Sequence, residues 1–120
     1  MIKRLMLLAA LALAPATPAA ADYWGDFDTA IDAYANARYD QALDIFRPRA
    51  ERGDDRAQYW LGIMYYEGKG VIRDNVNAYM WLSLAAERGN RAARLGREGI
   101  AGRMSASEIE TARARVAAWH

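Results

Sequence analysis

Apolar residues recur along this chain at three- and four-residue spacing, and hardly any stretch alternates apolar with polar. That is the period of amphipathic helices rather than of strands. Alanine is abundant and proline is confined to Pro15, Pro18 and Pro48. The pattern therefore predicts an all-α chain with six helices, over about 26–37, 40–51, 55–67, 75–88, 91–101 and 106–118. The punctuation agrees with it. Gly53 and Gly89 each follow an Ala-Glu-Arg triplet, where glycine can take the left-handed backbone that ends a helix. Asp54 or Asp55 is placed to cap the third helix and Asp74 the fourth. Ser105-Ala106-Ser107-Glu108 reads as a capping box, with Met104 and Ile109 at the positions of a hydrophobic staple.

The N-terminus has a different pattern. Met1-Ile2-Lys3-Arg4 precedes the apolar run Leu5 to Ala14, then Pro15 and Ala19-Ala20-Ala21. A basic start, a short apolar core and small residues at the end describe a signal peptide over 1–21, cleaved between Ala21 and Asp22. The run is about ten residues, half of the roughly 20 a membrane helix needs, so no membrane anchor is expected after cleavage. No cysteine follows it to carry a lipid. The expectation is an exported domain over 22–120, periplasmic or secreted. Without Lys3 and Arg4 the 16 basic residues become 14, against 15 acidic ones. That balance argues against a nucleic-acid or membrane-surface binder. The charge is uneven: Asp22 to Asp55 holds nine acidic and four basic residues, Arg88 to His120 three and seven. With zero cysteines there is no disulfide framework, and packing alone must hold the fold.

Internal repeats set the architecture. Ala50-Glu51-Arg52-Gly53 recurs 36 residues later as Ala86-Glu87-Arg88-Gly89, with Ala42 falling on Ala78 and Phe46 on Leu82. An offset of that size repeats one helical hairpin. Leu61-Gly62 recurs as Leu95-Gly96 at 34, so the last unit reads as a degenerate, capping one. The expected fold is a short α-solenoid of about three antiparallel helix pairs. Gly62 in mid-helix costs about 1 kcal/mol relative to alanine, which implies a neighbour too close for a side chain.

The segment Ala57-Gln58-Tyr59-Trp60-Leu61-Gly62-Ile63-Met64-Tyr65-Tyr66-Glu67-Gly68-Lys69-Gly70-Val71 is followed by Asp74, Ala78, Trp81 and Ala85-Ala86. It closely resembles a Sel-1-like repeat, whose pattern A-x-x-x-L-G-x-x-Y-x-x-G-x-G-V, then D, A, W and A-A, is matched at every position, with the best repeat over 55–89. Upstream, Tyr34, Ala37, Tyr39, Ala42, Phe46 and Ala50 look like the second half of a tetratricopeptide repeat. Residues 105–119 resemble the terminal helix that closes such arrays. The resemblance implies a protein-interaction module in which the first helix of each pair lines the concave side. A cysteine-rich exported branch of the family is associated with β-lactam binding or hydrolysis; this chain has no cysteine, and that activity is not carried over.

The chemical inventory is thin. The one histidine is His120, and the serines are Ser83, Ser105 and Ser107, none starting a Ser-x-x-Lys motif. Neither a nucleophile–base pair nor a histidine metal site can be assembled. Gly68-Lys69-Gly70 lacks the strand and the Lys-Ser/Thr ending of a phosphate loop. No catalytic, metal or cofactor residue is nominated, and the chain reads as a non-enzyme that binds no cofactor. Arg91, Arg94 and Arg97 make either a patch for an anionic partner or the solvated face of a terminal repeat. Trp60, Tyr65 and Trp81 read as core. Tyr59, Ile63 and Tyr66 form a second apolar stripe on the third helix, with Tyr59 and Tyr66 as candidate partner-binding anchors and Arg56 and Glu67 at the rim. The expected function is an exported adaptor binding another protein or peptide in the cell envelope, as a monomer or with weak self-association through its acidic and basic ends. The alternatives are a binder of a small or glycan-like cell-wall ligand and, behind it, a β-lactamase-like hydrolase.

Overall fold

Five of the six helices begin at a residue whose side chain caps them; the second, with Arg38 at its N-cap, does not. In the computed structural model, which describes residues 26–120, the six are α1 (Phe27–Ala35), α2 (Tyr39–Glu51), α3 (Asp55–Glu67), α4 (Asn75–Glu87), α5 (Arg91–Ala101) and α6 (Ala106–Trp119). No strand occurs among the described residues. The signal segment and its cleavage between Ala21 and Asp22 lie outside them. Asp54, not Asp55, caps α3, its carboxylate accepting from the N–H groups of Arg56 (3.1 Å) and Ala57 (3.4 Å). Asp74 caps α4 through Asn77 N–H (3.0 Å) and Asn90 caps α5 through Ala93 N–H (2.8 Å). The capping box on α6 is complete: Glu108 N–H donates to Ser105 Oγ at 3.1 Å and Ser105 N–H to Glu108 Oε1 at 3.0 Å. The first helix ends two residues short of its predicted boundary. Asn36 N–H closes on the Asp32 carbonyl, and Ala37 then turns to a φ of +59°.

The helices stack as a short Sel1- and tetratricopeptide-like solenoid in which α2 joins α1 to α3 and α4 gathers the rest. Every residue of α4 from Ala78 to Ala85 is buried, because α3, α5 and α6 all pack on it. The N-terminal half of the core is aromatic. Phe46 stacks on Trp60 at 6.2 Å between ring centres and meets Phe27 edge-on at 5.8 Å. Tyr34 sits 5.1 Å from Trp60. Toward the C-terminus the core becomes small and aliphatic: Ala78, Leu82, Ala85, Ala93 and Ile100. At its centre Leu82 lies against two glycines. A Cβ at Gly62 would fall 2.9 Å from Leu82 Cγ and 3.2 Å from the Ala78 carbonyl oxygen. One at Gly96 would sit 3.6 Å from Leu82 Cδ1. The close approach predicted at Gly62 is therefore present, and alanine does not fit there without movement.

The repeat register is corrected at the third unit. Because Asp54 and Asn90 cap α3 and α5 at an offset of 36, and both helices then run unbroken, the offset remains 36 along them. Leu95-Gly96 is therefore not the counterpart of Leu61-Gly62. The burial agrees: Ala93 is sealed like Ala57, whereas Leu95 is 54% exposed and Leu61 not at all.

Candidate functional site

The face of α3 that looks toward α5 carries an open cleft. Ile63 and Tyr66 form one wall, Gly96, Gly99 and Ile100 the other, and Arg103 closes one end around about 230 Å³. It stays open because α3 and α5 both pack on α4 and barely on each other. A Cβ at Gly99 would meet nothing within 4 Å. Tyr66 is partly buried and clamped by two cations. The Arg103 guanidinium donates to the Tyr66 hydroxyl at 2.6 Å and lies 5.9 Å from its ring centre. Arg73 lies 5.4 Å from the same ring. Neither arginine has a carboxylate partner among the described residues. Beside Arg73, Ile72 is 90% exposed. The result is a shallow apolar slot with a positively charged rim, suited to a side chain or short segment that carries negative charge nearby.

The residues nominated from sequence are divided between the two sides of α3. Tyr66 lines the cleft. Tyr59, two turns away, is partly buried on the second core cluster, with its ring edge-on to Trp60 at 5.5 Å. Arg56 and Glu67 are held on the α1 side. The Arg56 guanidinium lies 4.2 Å over the Phe27 ring and 3.8 Å from Asp54. Glu67 accepts a hydrogen bond from the Tyr34 hydroxyl and pairs with Lys69 at 3.2 Å. Lys69 also donates to the Tyr34 oxygen (3.4 Å) and sits 5.1 and 5.7 Å from the Tyr34 and Tyr39 ring centres. These bonds to Tyr34 and then Glu67 hold its ammonium well above the ordinary lysine range. Burial, followed by the bond to Glu67, raises the Tyr34 hydroxyl as well. Arg91 and Arg94 are exposed and Arg97 is partly buried. Gly96, Gly99, Arg73 and Arg103 were not among the nominated residues. The available signal was two glycines inside an eleven-residue helix, which helix propensity disfavours unless backbone must be left bare.

The model of the Sel1 repeat family matches residues 55–90. The chain carries a Sel1 repeat. It is similar to the exopolysaccharide production negative regulator of Rhizobium leguminosarum bv. viciae, at 32% identity over 63 residues. That stretch is 52% of this chain and 24% of the relative, so the chain spans about a quarter of that protein. No solved structure matches it.

The repeat's signature residues build the hairpin that backs the cleft. Ala57, Leu61, Ala78 and Ala85 are sealed, Trp81 is buried, and Tyr65, Val71 and Ala86 pack at the edges of the core. Gly68 and Gly70 take φ values of +69° and +74°, which turn the chain out of α3 and lay the loop on α2. A side chain at Gly70 would strike Leu43 and Tyr39 within 2.9 Å. Arg47 of α2 donates to the Tyr65 hydroxyl at 3.2 Å, joining the Sel1 repeat to the unit before it. Among the described residues no cluster of three His, Cys, Asp or Glu side chains could hold a metal, and no helix is long and apolar enough to cross a membrane.

Proposed function

We propose that this chain is an exported interaction module that holds a short segment of a partner protein in the cleft between α3 and α5. The observation that carries the reading is the bare wall at Gly96 and Gly99 opposite Ile63 and Tyr66, rimmed by Arg73 and Arg103. A Sel1 repeat supports a role in protein–protein interaction. The signal-like segment of residues 1–21 supports export and a partner in the cell envelope. The named relative is a negative regulator of exopolysaccharide production, and control of a surface polysaccharide is the setting we propose for this chain.

The test places a photo-crosslinking residue at Ile63 and, as a control, at Asp40 on α2, in the native compartment. One protein should be captured from position 63 and not from position 40. Tyr66→Ala should weaken that capture by about 1–2 kcal/mol, and Gly99→Leu, which fills the slot, should abolish it. Equal capture from both positions, or capture indifferent to Gly99→Leu, would remove the cleft as the site. The exported product should begin at Asp22 by intact mass; Met1 on that product would overturn the export reading.

A further inference from the structure

The hairpin of α5 and α6 does not close. Both helices pack on α4 and scarcely touch each other. Between the three lies a cavity of about 570 Å³. Its lining follows from the repeat register. Counted from the N-caps Asp54 and Asn90, Leu61 and Gly62 of α3 correspond to Arg97 and Glu98 of α5. Counted from Asp74 and Ser105, Leu82 of α4 corresponds to Arg113 of α6. Leu82 over Gly62 is the centre of the closed hairpin. Its counterpart in the last unit is three charged side chains, and all three line the cavity. Charges cannot be sealed in a hairpin core without strong compensation, so the helices stand apart.

Two features of the opening point to a ligand. Ser83, on the face of α4 that floors it, is only 4% exposed, and its Oγ has no hydrogen-bond partner. A buried hydroxyl left unpaired is costly and uncommon. In addition, Arg97 and Arg113 have no ion-pair partner among the described residues. Of the carboxylates in the wall, Glu87 is engaged by His120 Nε2 at 2.8 Å. Glu98 lines the same opening and makes no ion pair among the described residues. Tyr79, Ala101, Val116 and Ala117 supply the apolar surface.

We infer that this cavity binds a small organic anion, its apolar body on Val116 and Ala117 and its carboxylate held between Arg97 and Arg113, with Ser83 Oγ, sealed as it stands, turned toward it as a further hydrogen-bonding group. The volume lies within the range of small-molecule sites, and guanidinium groups suit a carboxylate in geometry and charge. No lining residue is shared with the α3–α5 cleft, so this reading and the partner-binding one stand or fall separately.

The probes are hexanoate, its uncharged amide hexanamide, and inorganic phosphate, titrated into the isotope-labelled chain and followed by amide chemical shifts. Hexanoate should give saturable shifts centred on Ser83, Arg97, Arg113 and Val116. Hexanamide should bind about tenfold more weakly, the loss expected when a charge-assisted bond is removed. Arg97→Gln and Arg113→Gln should each cost a similar factor, and Ser83→Ala a smaller one. Glu98→Gln should tighten binding by removing the competing carboxylate. Ala117→Trp should block the site; if that variant does not fold, Ala117→Leu is the smaller plug. Overturning results would be no saturable shift, equal affinity for hexanamide, phosphate binding as well as hexanoate, or shifts centred on Tyr66 and Gly99.

Discussion

The α3–α4 hairpin and the α5–α6 hairpin are entered through the same kind of turn and N-cap yet end as opposites. In the first, Leu61, Gly62 and Leu82 let two helices meet backbone to side chain, and α4 disappears into the core. In the second, Arg97, Glu98 and Arg113 occupy the matching positions and the helices part. The turns that lead into them, from α2 to α3 and from α4 to α5, are almost superposable in their hydrogen bonding: Gly53 N–H donates to Ala50 and Gly89 N–H to Ala86, at 3.0 and 2.9 Å. Asp54 N–H donates to Arg49 and Asn90 N–H to Ala85, at 3.0 and 3.1 Å. Caps and turns fix where helices begin and how the chain reverses. Whether two helices close on each other is decided by three or four side chains between them. A terminal unit with charges there is free to end the array, since no further repeat has to be covered.

The largest expected effect comes from breaking the closed hairpin and its open counterpart at the same position. Leu82→Ala should cost about 2–5 kcal/mol, toward the upper end because Leu82 fills space beside both Gly62 and Gly96. Against a typical domain stability of about 5–15 kcal/mol, that is a large share. Arg113→Ala, its counterpart in α6, should stay within about 0.5 kcal/mol, as surface changes do. Denaturant midpoints at unchanged slope measure both. Similar losses would mean that α5 and α6 close after all.

The glycines sharpen the same contrast at a smaller scale. Gly62→Ala forces a methyl to 2.9 Å from Leu82 Cγ. Overpacking of about 1–3 kcal/mol is offset by roughly 1 kcal/mol of helix propensity, leaving a net loss of up to about 2 kcal/mol. Gly99→Ala meets nothing within 4 Å and should gain about 0.5–1 kcal/mol from propensity alone. The two melting temperatures should move in opposite directions. If both rise, Gly62 is not held against Leu82.

Most of this architecture was legible because it is written locally. Caps, left-handed glycines and the apolar period placed five helices to within a residue or two, and the 36-residue echo gave the hairpin unit. The boundary missed at α1 depended on Ala37 taking a positive φ, which no residue preference signals. The third unit misled for a different reason: Leu95-Gly96 imitates the Leu61-Gly62 motif, but the helix cap and not the motif sets register. Of the proposed binding surface, Tyr66 was legible as one member of an apolar stripe. The opposite wall was not, because a cleft is made by the side chains that are missing, and Gly99 carries its meaning only once α3 lies across from it. Arg56 and Glu67 were placed at a rim by helix periodicity alone, and the structure shows them engaged with α1.

The smallest expected effect tests whether the closed half is also locked from outside, where α1 meets the loop after α3. Lys69 donates to Tyr34 and Glu67 across that junction, and both titrating groups are shifted upward, Lys69 by its bonds to Tyr34 and Glu67, and Tyr34 chiefly by burial. A group whose folded pKa lies above its unfolded value favours the fold while it is protonated. That contribution is complete below the unfolded values, 10.0 for tyrosine and 10.5 for lysine. It is lost as pH rises above them. Thermal stability should therefore fall as pH rises from about 10 to 11. The informative quantity is the difference between the parent chain and Lys69→Met. At pH 8 the parent should be slightly the more stable. By pH 11 the gap should narrow, because the parent has begun to lose what the variant never had. No matching residues span the α5–α6 gap, so Arg113→Gln, compared with the parent in the same way, should show no such convergence. A gap that widens with pH would mean that Lys69 is held by charge on Tyr34 rather than by its neutral hydroxyl, and would reverse the assignment of the proton between them.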